Sequence, residues 1–126
     1  MYVDSSALVK LVIREAGSPA LGGRLAGEGM VSSALSIVEV GRAARRADRA
    51  EPRDVRSVIS LVTMIDVDAT ILRAAASLDP PFLRSLDAIH LATALTVAGD
   101  IDAFITYDRQ LSRAASAAGF VVERPA

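Results

Sequence analysis

Short apolar runs alternate with longer segments of helical period along the whole chain, and this alternation limits the available folds most sharply. Tyr2-Val3, Met30-Val31-Ser32, Met64-Ile65-Asp66-Val67, Phe104-Ile105-Thr106 and Val121-Val122 read as strands. Between them, apolar spacing predicts helices over Ala7 to Glu15, Ser18 to about Leu25, Ser36 to about Arg49 and Pro52 to about Val62. Further helices are expected over Ala69 to Leu78, Leu86 to Ala98 and about Asp108 to Ala118. Ser5 or Ser6, Ser36 and Asp68 stand where helix N-caps are needed. Gly17, Gly99, Gly119 and the Pro80-Pro81 pair stand where helices must stop. Strands joined by helix-length segments cannot form hairpins. They pair in parallel, with helices over both faces. The expected fold is therefore an α/β three-layer sandwich with a central parallel sheet, spanning residues 1–126 as one domain.

Composition narrows the setting. The 126 residues include no cysteine, which excludes a disulfide scaffold, a zinc–thiolate centre and thiol catalysis, and a reducing cytoplasmic location is expected. With 52% hydrophobic and 23% charged residues, the chain is far from a disordered composition. No apolar stretch approaches the ~20 residues that span a bilayer, so no membrane association is expected. Met1-Tyr2-Val3-Asp4 lacks the basic-then-apolar order of a secretory signal, and none is inferred. The net charge of −1 hides a bias, because every one of the 14 basic residues except Lys10 is arginine. Arginine offers a planar donor fork suited to phosphate. Arg42, Arg45, Arg46, Arg49, Arg53 and Arg56 lie close together, on what reads first as a solvated helix face.

Ligands of parallel α/β sheets bind beyond the carboxyl ends of the strands, which directs attention to strand-end polar residues. Asp4 directly follows the first strand, and Asp108 follows the fourth. Glu39 interrupts Ile37-Val38-Glu39-Val40, and Asp87 sits among Leu86, Ala88, Ile89 and Leu91. These two helical segments are apolar enough to face the core, where a charge is costly unless paired or bound to metal. Four neighbouring carboxylates repel one another unless a divalent cation neutralises them. Oxygen-only donors favour Mg²⁺ or Mn²⁺ over zinc. Such a centre suits phosphodiester hydrolysis.

At these residues the chain resembles the PIN-domain ribonucleases, and among them the VapC toxins of bacterial type II toxin–antitoxin systems. The resemblance is carried by Tyr2-Val3-Asp4-Ser5-Ser6-Ala7-Leu8-Val9-Lys10, the Glu39 helix, Leu83-Arg84-Ser85-Leu86-Asp87-Ala88-Ile89-His90-Leu91-Ala92 and Phe104-Ile105-Thr106-Tyr107-Asp108-Arg109-Gln110-Leu111. It implies a PIN-like fold, Mg²⁺- or Mn²⁺-dependent endoribonuclease activity, homodimerisation and neutralisation by a VapB-type antitoxin. It also implies that Asp4, Glu39, Asp87 and Asp108 form the catalytic site, that Asp4, Asp87 and Asp108 hold metal, and that Thr106 is a polar neighbour.

Ser5 is a further neighbour of that site, while Arg84, Arg42 and Arg46 are candidate contacts to RNA phosphate. His90, alone on an apolar helix, reads as structural. The apolar stripe Ala7, Leu8, Leu11 and Val12, with Leu21, Leu25 and Met30, serves the core and leaves room for a dimer surface and an antitoxin groove. Two alternatives stand beside this reading. A receiver-type phosphoacceptor domain also uses strand-end acids and Mg²⁺, but it needs a lysine late in the chain, and Lys10 is the only one. A catalytically silent PIN-fold binding module is the other, disfavoured by the presence of all four acids.

Overall fold

The computed structural model describes residues 1–48 and 50–126. Arg49, the expected end of one helix and a member of the arginine cluster, lies outside the described residues. The chain runs β1 (Tyr2–Val3), α1 (Ser5–Val12), α2 (Ser18–Leu25), β2 (Met30–Ser33), α3 (Leu35–Ala47), α4 (Pro52–Ser60) and β3 (Val62–Ile65). It continues through α5 (Ala69–Ala76), α6 (Ser85–Thr96), a 3₁₀ turn (Ala98–Asp100), β4 (Phe104–Ile105), α7 (Arg109–Ala117) and β5 (Val122–Glu123).

All strand pairs are parallel, in the order β3-β2-β1-β4-β5. The chain thus starts in the middle of the sheet, builds outward to β3, and returns to build the other half. Such a reversal opens a crevice beyond the carboxyl ends of the two strands that flank it, here β1 and β4. Tyr2 pairs with Phe104 and Val3 with Ile105, so the next residues, Asp4 and Thr106, emerge side by side at that crevice.

Alternation along the strands divides the core. Val3 and Ile105 point to a cluster with Leu8, Leu21, Val40 and Val62 beneath α1 to α4. Tyr2 and Phe104 point the other way, among Ile71, Leu83, Leu91 and Leu111 beneath α5 to α7. Their rings stack at 4.9 Å between centroids. Each fully buried leucine contributes about 1.5–3 kcal/mol, so these clusters fix the strand ends on which the polar residues stand. Among the described residues no helix is long and apolar enough to cross a membrane.

Several local expectations change. Asp4, not Ser5 or Ser6, caps α1, its carboxylate accepting from the Ala7 amide at 3.0 Å. The α3 helix begins at Leu35, and Ser36 shares a 2.8 Å hydrogen bond with Ser32 instead of capping. β3 starts at Val62, two residues before the expected Met64, because Val62 pairs with Met30. The helix expected to reach Ala98 ends at Thr96 and passes into the 3₁₀ turn. Six of the seven residues of the N-terminal apolar stripe are buried in the first core cluster, and Leu11 packs against it. The large exposed apolar residues lie elsewhere and include Ile37, Val38, Phe82 and Leu86.

Candidate active site

Asp4 leaves β1 with its amide donating to the Ile105 carbonyl at 3.1 Å, which extends the sheet ladder by one step. Only 2% of the residue is exposed. Its Oδ1 accepts from Ser6 Oγ at 2.6 Å and from the Ala7 amide, and its Oδ2 accepts from Thr106 Oγ1 at 2.6 Å. Thr106 Oγ1 in turn accepts from the Asp108 amide at 3.0 Å, and Ser6 Oγ accepts from the Tyr107 amide at 2.9 Å. Two hydroxyls thus lock the first strand's acid to the segment that carries the second. Burial pushes the Asp4 carboxyl above its ordinary range, and the hydroxyl donors and His90 act against that rise without cancelling it. No arginine or lysine pairs with Asp4 among the described residues.

Asp108 follows β4 and caps α7, its Oδ1 accepting from the Leu111 amide at 2.8 Å. Its Oδ2 takes Arg84 Nη2 at 2.7 Å, while Arg84 Nε reaches Asp87 Oδ2 at 3.3 Å. One guanidinium therefore bridges the acids of α6 and α7. Burial raises the Asp87 carboxyl, the Asp108 charge raises it further, and Arg84 only partly offsets them. Arg84 itself is 68% exposed, so the bridge is one that water and salt screen.

Glu39 is held from the far side of the sheet edge. His90, 1% exposed, places Nε2 at 2.7 Å from Glu39 Oε1, and its Nδ1 lies 2.7 Å from the Tyr2 hydroxyl. The Ser33 amide donates to that hydroxyl at 3.2 Å. Burial raises the Tyr2 phenol far above its usual range, so it keeps its proton. The imidazole is thus clamped between the Tyr2 hydroxyl and the Glu39 carboxylate, with Nε2 facing Glu39.

These groups share a cleft of about 800 Å³. Asp4, Ser5, Glu39, Asp87 and Asp108 line it, with Arg42, Arg46 and Arg84 on its walls and Val38 and Leu86 at its rim. Thr106, fully buried, supports Asp4 from behind. Asp87 stands in the first turn of α6 and Glu39 in the second turn of α3, and both are half-buried on the cleft, not turned into the core. Arg45, Arg53 and Arg56 do not line it. Ser6, placed first as a cap, donates to Asp4, and His90, read as structural, orients Glu39 across the core, a contact that no local spacing signals.

Among the described residues no three Asp, Glu or His side chains draw close enough to cage an ion. The reason is visible: Arg84 stands between Asp87 and Asp108, and His90 holds Glu39. The donor set nevertheless fits a hard cation. It is all oxygen, Asp4 is buried with no arginine or lysine partner among the described residues, and Asp87 carries repulsion from Asp108 that a divalent ion would relieve.

Comparison with known proteins bears on what this cleft is. The PIN-domain family model matches residues 1–117. Ribonuclease VapC46 of Mycobacterium tuberculosis is 39% identical over 126 residues, covering 99% of this chain and 97% of that relative. The crystal structure of M. tuberculosis VapC20, described as a sarcin–ricin loop cleaving toxin, matches with a TM-score of 0.72 at 20% identity over 98% of each chain. VapBC2 from Rickettsia felis, solved bound to a DNA fragment from its promoter, matches with a TM-score of 0.66 at 13% identity over the full length of both chains. The two structures share the fold, and the sequence relative carries the kinship further: the chain belongs to the PIN-domain family, among the VapC ribonucleases.

Proposed function

We propose that this chain, as one PIN domain over residues 1–126, is a cytoplasmic VapC-type endoribonuclease that hydrolyses RNA phosphodiester bonds with Mg²⁺ or Mn²⁺. We further propose that it acts as the toxin of a pair, forms a homodimer and is neutralised by a VapB-type antitoxin. The observation that carries the reading is the convergence of Asp4, Glu39, Asp87 and Asp108 on one cleft, where Asp4 has no arginine or lysine partner among the described residues and Asp108 raises Asp87. Exposed Val38 and Leu86 at the rim offer apolar surface for a protein partner.

Asp4, Asp87 and Asp108 would hold the metal. When bound, a divalent ion supplies Lewis-acid polarisation of the phosphodiester and a lower pKa for the attacking water. Ser6 and Thr106 keep both Asp4 oxygens aimed by donating to them. Glu39 accepts a proton from the water at Oε2, the oxygen that His90 leaves free. His90 and Tyr2 are positioning residues, since they act through Glu39. Arg84, exposed and held by these two carboxylates, stands where it would take an RNA phosphate if they held the metal. Arg42 and Arg46 receive flanking phosphates from the α3 wall.

Cleavage of a labelled single-stranded RNA tests this. Activity is expected with Mg²⁺ or Mn²⁺, disappears with EDTA, and disappears in Asp4→Asn or Asp87→Asn while the fold persists. Chelator-resistant cleavage by a well-folded Asp4→Asn/Asp87→Asn double variant would refute it.

A further inference from the structure

A second, smaller cavity of about 160 Å³ adjoins the acidic cleft on the β4–β5 side. Arg109, Ser112, Arg113 and Arg124 line it, and Tyr107 and Asp108 form the wall common to both cavities. Arg109 and Arg113 are one turn apart on α7 and present their side chains to the same face. Arg124 follows β5, and its guanidinium lies 5.8 Å from the centre of the Tyr107 ring. The Tyr107 hydroxyl donates to the Pro125 carbonyl, which ties the segment bearing Arg124 to the wall. Tyr107 thus sets Arg124 from two directions.

None of these three arginines has a carboxylate partner among the described residues. The nearest acids are engaged elsewhere: Asp108 takes Arg84 and the Leu111 amide, and Glu123 takes Arg24. Three guanidiniums around one small cavity repel each other until an anion enters. Their forked donors match phosphate oxygens, and the Ser112 hydroxyl adds a neutral donor. The anion must also suit a place beside an acid-lined cleft. A lone phosphate gains nothing from that neighbour, whereas a polyanionic strand with one phosphate over the acids does gain from a cationic hold on another.

We propose that Arg109, Arg113 and Arg124, with Ser112, form a subsite for an RNA phosphate flanking the scissile one. The subsite rests on the ribonuclease reading above. It places the strand across the acids between two arginine flanks, Arg42 and Arg46 on α3 and this cavity on α7 and β5. The three arginines are exposed, so replacing them leaves the fold intact.

Steady-state cleavage of a single-stranded RNA by the full chain, with Mn²⁺, decides the matter. Arg109→Ala/Arg113→Ala/Arg124→Ala is expected to raise KM about ten-fold and to keep kcat within about two-fold. Binding of the same RNA in an Asp4→Asn background should lose about 0.7 from the slope of log Kd against log salt for each phosphate contact removed. Lysines at the three positions should restore part of the KM, because charge returns without the fork. Arg73→Ala, on exposed α5 surface away from both cavities, should leave KM unchanged. Inorganic phosphate at millimolar concentration should not compete with the RNA; competition abolished by the triple substitution would make this a free-phosphate site and overturn the proposal. Cleavage by the triple variant with unaltered KM and salt slope would overturn the subsite alone and leave the arginines to a protein partner's carboxylates. A parent protein that neither binds nor cleaves RNA would overturn the ribonuclease reading, and the subsite with it.

Discussion

Replacing Thr106 by valine keeps the shape of a fully buried side chain and removes only its hydroxyl. Three hydrogen bonds go with it: the 2.6 Å bond donated to Asp4 Oδ2, the 3.0 Å bond accepted from the Asp108 amide and a long one of 3.4 Å shared with Ser6 Oγ. A bond to a charged acceptor contributes about 1.5–3 kcal/mol and a neutral one about 0.5–1.5. The loss is therefore about 3 kcal/mol, which for a chain of this size is roughly 10 °C in Tm. Thr106→Ser, which keeps the hydroxyl and loses one methyl, should cost about 1 kcal/mol. Urea unfolding in EDTA at neutral pH measures both, and an unchanged m-value shows that the same surface is exposed. The difference between the two variants should narrow in acid, because a protonated Asp4 no longer needs a donor at Oδ2. Valine and serine variants of equal stability at neutral pH would refute the role given to the hydroxyl.

Two other perturbations follow from the same geometry. Because the folded carboxyls of Asp4 and Asp87 titrate above the ordinary value of 3.8, the chelated fold holds protons that the unfolded chain has already released. The contribution of these groups to stability is therefore lost as pH rises from 3.8 through their folded values. Asp4→Asn removes the charge that burial opposes, so in EDTA at neutral pH its Tm should match or exceed that of the parent; a drop of several degrees would contradict the assignment. Tyr2→Phe leaves the Ser33 amide and His90 Nδ1 without their partner, which costs about 1–3 kcal/mol. It also loosens the imidazole that orients Glu39, so kcat should fall about ten-fold with KM unchanged; the ¹⁵N chemical shifts of His90 should move, and an unmoved spectrum with unmoved kcat would show that Glu39 needs no such support.

How much of this was legible in the sequence differs by element. The alternation of strands and helices, with stops at Gly119 and Pro80, foretold the parallel sheet, because helix-length connections admit no other pairing; Gly17, expected to end α1, instead starts α2, and α1 ends at Val12, short of the expected Glu15. Strand-end placement of Asp4 and Asp108 foretold that they would share an edge, since ligand crevices open there. The four motif segments resembled VapC ribonucleases, and kinship with that family leaves the receiver and silent-module alternatives without support. Contacts that cross the core were not legible. Tyr2 and His90 lie 88 positions apart, and only the β1–α6 packing brings them together. Arg84 was read as a phosphate contact; its bridge from Asp87 to Asp108 depends on the spacing of α6 and α7. Ile37 and Val38 looked like core because local apolarity cannot say which side of a helix faces the sheet, and both are exposed.

Calorimetric titration of Mn²⁺ into the chelator-stripped protein examines the acidic cleft most directly, because it needs no knowledge of the RNA. Saturable binding by the parent chain, abolished in Asp4→Asn/Asp87→Asn and retained in Arg73→Ala, is the expected result. Equal Mn²⁺ binding by the double variant and the parent, or none by either, would contradict a divalent-ion centre built on these carboxylates.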